Sequence, residues 1–76
     1  MTPESRAILC ATPASTSGQA SRASTIADTA GTDIIATRVA LDTLVGQRLV
    51  EQQRVPRDLL FSRTMLGDRV AREGGR

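Results

Sequence analysis

Positive charge in this chain is carried by arginine alone, all 10 basic residues being of that type, and the placing of those arginines decides which chemistry is open to it. A guanidinium is a flat fork of donors suited to bidentate contacts with phosphate and guanine. Arg38 stands among Ile35, Val39 and Asp42, a three-and-four spacing that puts all four on one face of a helix. Arg54, Arg57 and Arg63 follow with only Asp58 between them, and Arg69, Arg72 and Arg76 come after. Through residue 38, Arg6, Arg22 and Arg38 balance Glu4, Asp28 and Asp33, so the net charge of +2 resides wholly in the second half. A hairpin rich in arginine can lie along a phosphate backbone or reach into a minor groove. The plainer reading of the same residues is an edge strand kept from aggregating by its charge.

Catalysis finds no support. The chain has no histidine, no lysine, no spaced pair of carboxylates and no serine in a nucleophile setting, so the sequence predicts a protein that is not an enzyme. Gly31, Gly46 and Gly67 are too scattered to cradle a phosphate. Cys10 is the single cysteine, which excludes an internal disulfide and, without histidine, leaves too few ligands for zinc. No metal or cofactor is expected, and the expected compartment is cytoplasmic. Cys10 itself is expected to be buried in the first helix. Ile8-Leu9-Cys10 is the longest apolar run near the start, too short for a signal peptide or a membrane span, and Leu9 lacks the small size a lipoprotein cleavage site wants.

The elements that would position the arginines follow from local chemistry. Thr2-Pro3-Glu4 is a helix start, with threonine as cap, and the helix runs to about Ala11 before Pro13 stops it. The small polar segment ASTSGQASRAS after it reads as a flexible connector. Ser24 is a candidate cap for a short helix whose Ile26, Ala27 and Ala30 share one face, and Gly31 ends that helix by tolerating a left-handed turn. Thr32 or Asp33 can accept from the free amides that open the next helix, which extends from Asp33 to about Arg48. Thr37, Ala40, Leu41 and Leu44 form its inner stripe, with Ile34 and Val45 on the edge. After Gly46 the run LVEQQ changes to the period of a strand. Val55-Pro56-Arg57-Asp58 supplies a hairpin turn, and Leu59, Phe61 and Arg63 alternate with Leu60, Ser62 and Thr64 on the way back. Residues 73–76 are expected to be a disordered tail.

Helix, glycine turn, helix and hairpin resemble a winged helix-turn-helix domain, nearest to the multiple-antibiotic-resistance-regulator type and similar bacterial and phage repressors. Ala27 stands four residues before Gly31 and Leu44 thirteen after it, as in that family. Leu49 and Val50 open the wing, Phe61 and Thr64 leave it, and Thr64-Met65-Leu66-Gly67 keeps the spacing into a last helix. Ile8 and Leu9 match an apolar pair in the first helix. The likeness spans about residues 5 to 70. Arg48 departs from it where a wing-opening glycine is usual, Thr37 replaces valine or isoleucine, and Arg63 replaces an apolar residue.

The expected architecture is therefore mainly α with a small β-hairpin: one winged helix-turn-helix domain over residues 1–72, with three helices, a two-stranded wing and a short C-terminal helix. A core with Phe61 as its sole aromatic is thin, which makes a homodimer or a protein partner a natural expectation, and at this length an effector domain is not expected. The resemblance implies a double-stranded DNA-binding regulator of transcription, a repressor type. Thr32, Asp33, Ile35, Thr37, Arg38 and Asp42 would then face the major groove, with Arg54, Arg57 and Arg63 on the wing. The recognition face is charge-neutral and partly apolar, however. A second reading takes that literally: a protein-interaction module, such as a phage or mobile-element factor that docks on a host or partner protein through Ile35, Val39 and Leu60.

Overall fold

The computed structural model describes residues 2–14 and 18–73. Four helices and three short strands follow in the order α1 (Pro3–Ala11), β1 (Ser21–Arg22), α2 (Ala23–Ala30), α3 (Ile34–Gly46), β2 (Val50–Val55), β3 (Asp58–Arg63) and α4 (Met65–Glu73). The four helices and the hairpin stand as the sequence predicts. The sheet does not: β1 adds a third strand, pairing Ser21 with Phe61 and Arg22 with Leu60 to give the antiparallel order β1-β3-β2. Part of the expected connector is thus held by backbone pairing, and Pro13 reinforces it by accepting from the Arg63 amide at 2.7 Å.

Each helix begins where its sequence permits. Thr2 caps α1, its hydroxyl accepting from the Ser5 amide at 3.1 Å, and Pro3 occupies the position where a missing N–H costs nothing. Ser24 is not a cap. α2 already begins at Ala23, after an extended Arg22 that offers no side-chain hydrogen bond, because β1 delivers the chain directly into the helix. At its other end Gly31 takes φ 71 and ψ 31, the left-handed turn foreseen for it. α3 ends at Gly46, two residues short of the expected limit, since Arg48 leaves the helical region with φ 62. Glu73 closes α4 rather than opening the tail, and residues 74–76 lie outside the described residues.

Ile8 and Leu9 of α1, Ile26 of α2, Leu41 and Leu44 of α3, Val50 and Phe61 meet in one apolar cluster. Leu59, Val70 and Ala71 pack around it. Cys10, expected inside, is exposed: Ile8 and Leu9 take the inward positions, and one further residue rotates the side chain by about 100° to the solvent side. α4 comes close enough to the wing entrance that Gly67 rests on the Leu49 carbonyl, a contact with no room for a Cβ. Arg6 ties α1 to α4 by donating from Nη2 to the Ala71 carbonyl at 3.2 Å.

Candidate nucleic-acid interface

Three hydrogen-bonded residues aim α3. Asp33 is its N-cap, with Oδ2 accepting from the amides of Ile35 at 3.0 Å and Ala36 at 3.3 Å, so two otherwise orphaned donors are satisfied. Thr37 Oγ1 donates to the Asp33 carbonyl at 2.8 Å and lies 2.7 Å from Thr32 Oγ1. With the Thr37 proton so committed, the Thr32 hydroxyl supplies the proton of that shorter bond. Thr37 is 0% exposed. Its place among the surface contacts is corrected on that ground: it is a core residue whose hydroxyl clamps the turn, and no external partner can reach it.

The remaining outer positions of α3 emerge as one stripe. Ile35, Arg38, Val39 and Asp42 are all exposed, Ile35 to 70% and Val39 to 64%, because the inner positions Thr37, Ala40, Leu41 and Leu44 are consumed by the core. Across from them stands the wing. β2 and β3 pair in continuous register from Val50 opposite Arg63 to Val55 opposite Asp58, with Pro56 and Arg57 forming the turn, as expected. Arg54 is paired with Leu59, and the pleat places them on the face that carries Phe61.

Helix and wing enclose a groove of about 560 Å³ whose lining includes Arg38 and Asp42 on one side and Arg54, Arg57, Leu59 and Phe61 on the other. Two carboxylates could oppose the arginines there, but they are not equivalent. Asp58 is engaged by Arg22, with Nε 2.8 Å from Oδ2, whereas no ion pair among the described residues involves Arg38, Arg54 or Arg57. Arg22 escaped sequence reasoning. It lies far from Asp58 in the chain, and only the pairing of β1 with β3 brings the two together.

Two further candidates are not where the sequence put them. Arg63 points inward to α4, its Nε 3.0 Å from Asp68 Oδ1, and the two side chains are only 20% and 18% exposed. That pair explains why an arginine can stand in a slot the resemblance fills with an apolar residue, and it removes Arg63 from the wing surface. Leu60 lies opposite Gln53 and Arg22 on the sheet face turned away from Leu59 and Phe61. It therefore does not join Ile35 and Val39 in one patch. Of the predicted contacts, the structure gathers Arg38, Asp42, Arg54 and Arg57 around one groove, with Asp33 and Ile35 exposed and Thr32 half-buried at the start of the same helix. No cluster among the described residues could hold a metal ion, and no described helix is long and apolar enough to cross a membrane.

Neither a family model nor a curated protein matches the sequence. Solved structures do. The zinc-responsive MarR family member ZitR of Lactococcus lactis is 26% identical, with a TM-score of 0.75 over 99% of this chain and 51% of that one. A ZitR mutant in complex with DNA is 27% identical, with a TM-score of 0.77 and the same coverage. RV1404 from Mycobacterium tuberculosis is 27% identical, with a TM-score of 0.72 over 95% of this chain and 48% of that one. The chain has the winged helix-turn-helix fold of MarR-type regulators, and it spans about half the length of these structures.

Proposed function

We propose that the chain is a double-stranded DNA-binding module of a transcriptional regulator, non-catalytic and cytoplasmic, with α3 in the major groove and the wing along the adjacent backbone. One observation carries the reading: Arg38 on the helix and Arg54 and Arg57 on the wing border a single groove, and none of the three is in an ion pair among the described residues. Guanidinium groups on both sides of a groove fit a duplex, in which base edges lie between phosphate walls. The DNA complex of ZitR, a protein of the same fold, supports it. A homodimer belongs to the proposal, since two-fold proteins of this kind read paired half-sites.

An electrophoretic shift with random and genomic duplexes at two salt concentrations tests it. Binding should weaken steeply as salt rises, through loss of counterion release. Arg38→Ala should weaken a specific site by roughly 1 to 3 kcal/mol and relax preference at one position, while Arg57→Ala should weaken all duplexes alike and lower the salt slope by about one.

The exposure of Ile35 and Val39 beside one arginine and one aspartate favours a second reading, a protein-interaction module. That reading prevails if the parent binds no duplex and Ile35→Asp or Val39→Asp abolishes a protein complex.

A further inference from the structure

The outer stripe of α3 interleaves two kinds of chemistry. Ile35 and Val39 are exposed apolar side chains one helical turn apart, about 6 Å along the axis, with Arg38 between them. The separation of Leu60 onto the far sheet face leaves the stripe two large apolar groups, with Ile34 partly exposed at its edge, a small patch for the buried anchor cluster at the centre of a protein interface. Their immediate neighbours on the stripe are Arg38 and Asp42. Arg38 adjoins them and borders, with Asp42, the groove that Arg54 and Arg57 border from the wing, where Asp58 is engaged by Arg22. Small apolar contacts beside an arginine that has no ion pair among the described residues fit the major groove of a duplex. In the major groove thymine offers a C5-methyl beside O4, and guanine offers O6 and N7 to an arginine fork.

Resting on the DNA-binding reading above, we infer that Ile35 and Val39 are specificity residues that read thymine methyl groups, flanking a guanine taken by Arg38. The site recognised is then a mixed one in which thymines lie within about two base steps of a G·C pair, since the 6 Å between the two apolar residues spans roughly two 3.4 Å steps. Asp42, at the far end of the stripe, disfavours phosphate there and leaves the reading of bases to the first two turns of the helix.

Deoxyuridine replacement gives the test, because uracil keeps O4 and loses only the methyl. A duplex is selected from a random pool with the full 76-residue chain, and each thymine in turn is replaced by deoxyuridine. The parent should lose about fourfold in affinity at each of two positions, the worth of one buried methyl apiece. Ile35→Ala and Val39→Ala should each lose that sensitivity at a different position, while thermal melts stay near the parent's because both side chains are exposed. Equal affinity for uracil and thymine at every position overturns the methyl reading and leaves DNA binding standing. So does methyl sensitivity that survives in both variants. Failure of the parent to bind any duplex is a separate outcome that removes the DNA-binding reading and this inference with it.

Discussion

Two left-handed turns bound α3, closed by the same pattern of local backbone bonds but held in different ways. Before α3, Gly31 adopts φ 71, and a Cβ placed on it would meet nothing within 4 Å. Its amide makes a bond of 3.3 Å to the Asp28 carbonyl, and the Thr32 amide reaches Ala27 at 3.0 Å. After α3, Arg48 adopts φ 62 although it carries a side chain. There Thr64 adds two bonds to the same local pattern. The Arg48 amide donates to Val45 at 3.0 Å and the Leu49 amide to Leu44 at 2.9 Å, while Thr64 donates from Oγ1 to the Arg48 carbonyl at 2.7 Å and from its amide to the Leu49 carbonyl at 3.1 Å. At the first turn the residue makes the bend. At the second, the bonds from Thr64, the residue that leads into α4, hold a bend that the residue disfavours, at a cost of about 1 to 2 kcal/mol.

Breaking the imposing contacts should therefore cost more than altering either turn residue. Gly67→Ala carries the largest expected effect, because its Cβ would collide with the Leu49 carbonyl and push α4 off the wing entrance. A loss of about 3 kcal/mol is expected in urea or thermal unfolding, near the upper end for overpacking. A parent-like melt would mean that α4 packs further from the wing. Thr64→Ala is next: it removes both the bond to Arg48 and the cap that accepts from the Gly67 amide at 3.0 Å, and should cost about 1 to 2 kcal/mol. Thr64→Ser should restore most of that, since the hydroxyl is the working group. Gly31→Ala should cost about 1 kcal/mol, the left-handed penalty being partly offset by a less flexible unfolded chain. If Gly31→Ala proved costlier than Gly67→Ala, the contrast between the two turns would be reversed.

The same contrast separates what the sequence disclosed from what it hid. Gly31 and the Leu41 and Leu44 stripe are local features that stand where the sequence predicts, and of the two caps the sequence offers, Thr32 and Asp33, the structure uses Asp33. Long-range features were illegible. β1 is only two residues long and shows no alternation, so its pairing with β3 exists only once the fold has formed. Arg63 read as a wing cation because Asp68 lies across a strand-to-helix junction that spacing does not reveal. Thr37 satisfied two readings at once, core stripe and polar contact, and its hydroxyl bonds to Asp33 and Thr32 decide for the core. Leu60 could have been placed by parity alone. With Phe61 directed to the core, its neighbour must face the other side of the sheet.

The smallest expected effect is the sharpest test of the imposed turn, and it has the opposite sign. Arg48→Gly removes the left-handed penalty of about 1 to 2 kcal/mol but gives the unfolded chain the freedom of a glycine, which returns up to about 1 kcal/mol. The side chain is exposed, so its loss forfeits no burial. A net gain of roughly half a kcal/mol in stability is expected, read as a slight rise in the urea midpoint with an unchanged slope. In the Thr64→Ala background the gain should shrink. Without the bond to its carbonyl, residue 48 is no longer held at φ 62 and the strain relieved by glycine is smaller. A double-mutant cycle measures that coupling directly. Additive effects, or destabilisation by Arg48→Gly alone, would mean that the bend is intrinsic to the segment and not imposed by Thr64.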